Sequence, residues 1–264
     1  MDAIVVALAQ DPAVLLARRA CYRFVALALA DPQTGVWNEL ADPQTQALVT
    51  QAAEILRDED AAVARPLGLG ELPLADLDPA VALARLPRSA GELNALYEAN
   101  FGLLGGSKCP PYETEYVPSR FAFQRSNMLA AIAGFYRAFG LQPSTIHPDR
   151  PDHVAIECEF LSQLIELQCQ ARDSTLSEAD SRAEVCGQAH KRFLQEHVAW
   201  WFPAFSTLLA RQNQGGFYEA IANFLAALIT AERALAGLDP SHQPAEPSPI
   251  ETLDECSGCE LANR

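Results

Sequence analysis

The sequence predicts an all-α protein: a single-domain bundle of roughly eight helices, interrupted by two long loops and followed by an acidic tail. Apolar residues return every three or four positions through most of the chain, which is the period of an amphipathic helix. Residues that start and stop helices bound the segments marked in this way. No segment shows the strict alternation between hairpin turns that a half-buried strand requires. With 264 residues, 49% of them hydrophobic and 20% charged, the chain has ordinary globular composition.

Asp11-Pro12 opens the first helix, which carries Leu15, Tyr22, Val25, Ala26 and Leu29 at helical spacing, and Asp31-Pro32 stops it. Arg18-Arg19 ahead of the apolar run Phe24–Ala30 has some look of a leader. Asp2, Asp11 and Arg23 argue for an amphipathic helix instead. Pro43 opens a second helix with Ala47, Leu48, Ala52, Ile55 and Leu56 on one face. Residues 66–87, rich in Pro and Gly, are a connection with a short helix near Pro79–Leu86. Ser89 and Glu92 form a capping box for the helix bearing Leu93, Leu96, Tyr97 and Phe101, and Gly102 closes it.

Residues 102–118 form the first long loop. Ser119 then begins a helix to Phe139, whose inward face carries Phe121, Met128, Leu129, Ile132, Phe135, Tyr136 and Phe139. Residues 141–150 form the second loop. Pro151 takes the first position of a helix to about Arg172. Ser177 caps another helix, which Pro203 breaks beside Trp200, Trp201, Phe202 and Phe205. The last helix is Phe217–Ala236, ended by Gly237. The expected organisation is a helical domain over residues 1–237 and a mobile, Pro-rich acidic tail over 238–264.

Charge and cysteine usage exclude several classes of function. Nineteen Lys and Arg against 34 Asp and Glu leave a net charge of -15, which repels a phosphate backbone and argues against nucleic-acid binding. No stretch reaches the roughly 20 apolar residues of a spanning helix. The seven cysteines are odd in number and scattered, as in a reducing cytoplasm. Gly102–Lys108 lacks the Gly-Lys-Ser/Thr core of a phosphate loop because Ser107 intervenes. Neither Glu-x-x-His nor His-Glu-x-x-His occurs. The spacing marks no cofactor site, and the five His and seven Cys leave open one formed by tertiary convergence. Cys256-x-x-Cys259 is a candidate metal or redox pair, but no second pair lies near it and the surrounding acids raise thiol pKa values.

Two segments stand out: Cys109-Pro-Pro-Tyr-Glu-Thr-Glu-Tyr116 and Pro151-Asp-His-Val-Ala-Ile-Glu-Cys-Glu-Phe160. In the second, His153 and Glu157 share a helix face and Asp152 lies where the helix dipole favours a carboxylate. A capped helix with a surface His–Glu pair accounts for the pattern equally well. In the first, the double proline extends the backbone and sets Tyr112, Glu113 and Tyr116 in place, either as a peptide-recognition surface or as a loop pinned by aromatic packing.

The two motifs, in this order and with an aromatic-rich helix between them, resemble the TorD/DmsD/NarJ family of molybdoenzyme chaperones. The matching residues are Pro110, Pro111, Tyr112, Glu113, Thr114 and Tyr116, then Pro151, Asp152, His153, Glu157 and Phe160, with Ala133–Gly140 also similar. The resemblance covers roughly residues 10–235. It implies an all-helical, cytoplasmic, non-enzymatic chaperone. Its partner would be the apo catalytic subunit of a molybdenum enzyme, bound in some cases through a twin-arginine signal peptide until the cofactor is inserted. By this resemblance Tyr112, Glu113, Tyr116, Asp152, His153 and Glu157 are the client-binding candidates. The Cys256/Cys259 tail is not part of the family pattern.

Overall fold

The computed structural model describes residues 8–60, 66–102, 108–142, 144, 146–175, 177–240 and 246–247. Cys256, Cys259 and most of the segment from 238 onward lie outside the described residues, as do five residues, 103–107, of the first long loop.

Among the described residues there are ten α-helices: α1 (Pro12–Leu29), α2 (Val36–Leu40), α3 (Pro43–Asp60), α4 (Ala80–Ala84), α5 (Ala90–Phe101), α6 (Arg125–Ala138), α7 (Val154–Asp173), α8 (Ala179–Phe193), α9 (Phe202–Gln212) and α10 (Phe217–Ala236). The all-α reading holds. The short helix expected near Pro79–Leu86 is α4, and the five-residue helix α2 is an addition to the expected set. The sheet-type pairing among these residues is one isolated antiparallel bridge, Tyr112 with His153.

Local chemistry explains most boundaries. Asp11 Oδ1 accepts the N–H groups of Ala13 and Val14 at 2.8 and 3.3 Å, which satisfies two donors that a bare helix start would strand. Ser89 Oγ accepts from Glu92 N, and Glu92 reaches back to Arg88 N at 2.8 Å, one residue short of a full capping box. Gly140 and Gly237 end α6 and α10 with φ of 74° and 66°.

Several starts differ from expectation. Helix α7 begins at Val154, not at Pro151, and His153 is its cap: the imidazole Nδ1 accepts from Ala155 N at 3.1 Å. Ser177 does not cap α8, which starts two residues later with no side-chain cap. The stretch before α6 is 3-10 helix from Ser119 to Gln124 with a kink at Phe121, so the heptad phase is broken and Phe121 is exposed. Gly102 closes α5 with φ of -65°, not in a left-handed turn. Helix α3 buries Val49, Ala52, Ala53 and Leu56, a face turned one step from the expected one, and Leu48 faces solvent.

Helix α1 packs along α7 and α3, α7 along α8, and α9 along α10. Helix α10 is buried around most of its circumference, including Glu232 and Arg233. Each of these charges has its own partner. Arg18 of α1 holds Glu232 through two N–H donations of 2.6 and 2.8 Å, and Glu71 in the 66–72 connection accepts from Arg233 at 2.7 and 2.9 Å. Arg233 also donates to the carbonyls of Pro66 and Leu238, so one guanidinium ties the connection to the end of α10. His190 lies against the Arg18–Glu232 pair, and burial followed by the Arg18 charge lowers its pKa to about 3.

The same connection approaches α9 so closely that Gly70 has no room for a side chain. Its φ is 82°, and a Cβ would lie 2.8 Å from Pro203 O. Gly70→Ala is expected to destabilise by about 2 kcal/mol, from left-handed backbone strain plus the clash. Denaturant unfolding is the check. A change below about 0.5 kcal/mol, the surface-substitution range, would show that the connection yields.

Candidate functional site

The two sequence motifs meet. The backbone of Tyr112 lies antiparallel to that of His153, with Glu113 N donating to Asp152 O at 2.9 Å and Val154 N to Pro111 O at 2.8 Å. Asp152 then clamps the loop. Its Oδ2 accepts from Thr114 N at 3.1 Å and from Thr114 Oγ1 at 2.8 Å. Arg150 caps the other side, Nε donating to Asp152 Oδ1 at 3.0 Å and Nη2 to Oδ2 at 2.8 Å, while Nη1 reaches Glu115 at 3.1 Å. Burial works against the Arg150 charge, but Asp152 and Glu115 outweigh it and raise its pKa.

Tyr112 is half-buried and packed on both faces. The Arg150 guanidinium carbon lies 4.2 Å from its ring centroid, and the His153 ring meets it edge-on at 5.3 Å. Its hydroxyl donates to Asp149 at 3.3 Å, and burial together with that carboxylate pushes the phenol up to about 12.

Beneath the loop lies a second polar layer. Glu113 accepts from Trp200 Nε1 at 2.9 Å and faces His197 Nδ1 at 3.2 Å. Glu157 accepts from Trp201 Nε1 at 3.2 Å, its other oxygen finds no donor among the described residues, and its carboxyl meets that of Glu113. Burial raises both carboxyl pKa values, and for Glu157 the neighbouring Glu113 and Asp152 add to it. Tyr116 stacks against Trp201 at 5.1 Å.

The expected surface His–Glu pair is therefore not at the surface. Glu113, Asp152 and Glu157 are 0% exposed, and His153 and Tyr116 are 1% exposed. The structure brings all six candidates into one knot, in which five are buried: Asp152 and His153 tie the loop to the start of α7, and Glu113, Tyr116 and Glu157 pack on the segment that carries His197, Trp200 and Trp201. What opens to solvent is a groove of about 690 Å³ beside them. Its apolar surface includes Ala26, Leu27 and Ala30 of α1 and Ile156 and Phe160 of α7. Its polar rim carries Arg23, Asp31, His147, Asp149 and Glu159.

His153 joins knot to groove. Its Nδ1 is committed to the helix cap, so the proton sits on Nε2, a buried atom 3.8 Å from Asp149 Oδ2 and beyond hydrogen-bond distance of it, on a residue that lines the groove. Burial lowers its pKa and keeps the ring neutral. Among the described residues no Arg or Lys pairs with Asp31 or Asp149.

The family model described as nitrate reductase delta subunit matches residues 71–207, which include every residue of the knot. The chain belongs to this family. Among curated proteins, the family member is 30% identical over 146 residues to the selenate reductase assembly chaperone protein of Thauera selenatis, covering 55% of this chain and 70% of that one. It is 26% identical over 216 residues to the chaperone protein TorD of Actinobacillus pleuropneumoniae, covering 81% and 93%. A TorD of Aliivibrio salmonicida is 31% identical over 87 residues, covering 33% and 38%. No solved structure matches significantly.

Arg150, Thr114, His197, Trp200 and Trp201 complete the knot of this family member, and Asp31 and Asp149 supply the groove with carboxylates that have no Arg or Lys partner among the described residues. None of these was singled out as a binding candidate from sequence. The tryptophans were noted beside the Pro203 bend, which is the one signal that pointed to them. Asp31 read only as part of a helix stop.

Proposed function

We propose that this protein is a maturation chaperone that binds the apo catalytic subunit of a molybdenum enzyme and holds it until its cofactor is inserted. The observation that supports this most is family membership together with relatives that carry chaperone names at both partial and nearly full length. The helical unit 1–237 would carry the activity as a binding protein in the cytoplasm, without catalysis. No described helix is long and apolar enough to cross a membrane.

The groove favours a client segment that is apolar with at least one cationic side chain, as in a twin-arginine signal peptide. Its apolar walls would take the hydrophobic residues, and Asp31 and Asp149 have acceptor capacity for a guanidinium. In this reading Tyr112 and His153 touch or border the segment, and Glu113, Tyr116, Asp152 and Glu157 hold those two in place.

The test is to purify the tagged protein from its host under anoxic conditions and identify what accompanies it by mass spectrometry. A near-stoichiometric, cofactor-poor molybdoenzyme subunit is expected, with recovery falling about tenfold or more in the Asp31→Asn/Asp149→Asn variant if each lost charged contact is worth about 1–2 kcal/mol. A partner already loaded with cofactor would instead mark a permanent subunit, and no partner at all would overturn the proposal.

A further inference from the structure

The layer beneath the loop has more negative charge than the fold can accommodate. Glu113 and Glu157 are both 0% exposed, and His197 is 4% exposed. Two indole N–H groups and one imidazole are the donors that reach them. Among the described residues Glu157 Oε1 and His197 Nε2 find no donor or acceptor other than the Glu113 carboxyl, which meets the Glu157 carboxyl within hydrogen-bond reach. Two ionised carboxylates side by side in a buried layer with so few donors are among the costliest arrangements in a protein.

Among the described residues no further cation reaches them. From the loop, Glu115 faces outward to Arg150 and Arg125. From residues 149–153 come Asp149, Arg150, Asp152 and His153, of which Arg150 is spent on Asp152 and Glu115. Helix α6 contributes Tyr136, α7 contributes Cys158, and the segment after α8 contributes His197. Glu196 and Arg192 pair with each other at the surface.

The element that presents His197 is itself unusual. Residues Leu194–Val198 form a π turn, with Ala199 N donating to Leu194 O five residues back at 2.8 Å. Such turns are rare, and they occur disproportionately where a side chain is re-aimed for function. Here the turn sets His197 against Glu113 and precedes the two indoles that hold the carboxyls.

We propose that Glu113, Glu157 and His197 form a proton-operated latch: with a proton shared between the two carboxyls the 110–118 loop is held on α7, and when that proton is lost the paired negative charges drive Glu113 out and release the loop. The proton comes from and returns to solvent, and no bond other than O–H is made or broken. Release would free Tyr112 from its packing and loosen the bridge to His153, so the wall of the groove changes with proton occupancy. The device belongs to this chain alone and needs no client, so its failure would leave the chaperone reading standing.

Hydrogen exchange of the full chain tests it. The amides of Glu113 and Thr114 donate to Asp152 and report the closed loop. Their exchange is compared with amides of α10 between pH 6 and 9, in wild type and in Glu157→Gln, whose neutral amide cannot charge. Excess loop opening in the wild type should rise about tenfold per pH unit above the latch midpoint, the slope of a one-proton linkage, and stay flat in the variant. Loss of packing alone would instead shift the variant's protection by the same factor at every pH. Should Glu157→Gln not fold, Glu113→Gln and the Trp200/Trp201 emission of a Trp37→Phe protein carry the same test, with a single-proton transition expected in the emission. A pH-independent wild-type ratio, or the same slope in wild type and Gln variant, would overturn the latch.

Discussion

Arg233→Met is expected to lower the unfolding free energy by about 3–5 kcal/mol, because it leaves the buried Glu71 carboxyl without its cation. Both side chains of the pair are 2% exposed, and Arg233 also serves two backbone carbonyls. At about 2–4 °C per kcal/mol for a chain of this size, the melting temperature should fall by about 10 °C. The double variant Glu71→Met/Arg233→Met should regain most of that loss, since removing both charges removes the stranded one. By contrast, the Arg23–Glu39 pair at 2.7 Å has side chains 43% and 54% exposed, and deleting it should change stability by no more than about 1 kcal/mol. Paired thermal and denaturant unfolding decide the matter; equal effects at the two sites would mean that water reaches Arg233.

Asp152→Asn is expected to cost about 2–4 kcal/mol, and to do so locally. The carboxylate accepts four donations, two from Thr114 and two from Arg150, while fully buried. An amide keeps the shape but presents two hydrogens where donors now point. Arg150 is 39% exposed at its side chain, so water compensates part of its loss. The loss should therefore fall on the loop, with limited proteolysis cutting near residues 110–118 before the bundle unfolds. Cleavage at the wild-type rate would show that the loop is held without Asp152. If client recovery also falls, the reason would be displacement of Tyr112 and His153.

The fold was legible because its signals are local. Asp11, Ser89, Gly140 and Gly237 act within one turn of their own position, and the apolar period marks most of the helices between them. The expectations that missed did so for the same reason. Pro151 is a good first helical residue by type, yet residues 150–153 close a turn and the bridge to Tyr112 holds His153 extended, which passes the cap to His153. Phe121 has the right spacing but sits in a 3-10 stretch with a different phase.

The candidate site was legible as two motifs and illegible as a contact map. Thr114 and Asp152 are 38 residues apart, and Glu113 and Trp200 are 87 apart. No spacing rule connects them, and a carboxylate that closes a knot looks in sequence like one that waits for a ligand. Asp31 and Asp149 illustrate the converse. Each sits beside a proline or in a loop, where acids are common for turn-making reasons, and only the folded chain sets both on one groove.

Helix α10 has a further consequence. A helix that is apolar around nearly its whole circumference has no wet side, so hydrophobic burial barely distinguishes one rotation about its axis from the next. Glu232 and Arg233 are neighbours in the chain and so point about 100° apart; they do not pair with each other. One looks to α1 and the other to the 66–72 connection. Turning or sliding α10 by a single residue would set both charges against hydrocarbon at once. The two adjacent charges thus work as an index mark that leaves the central helix one permitted orientation, and through Arg18 and Glu71 they transmit that choice to the elements on either side.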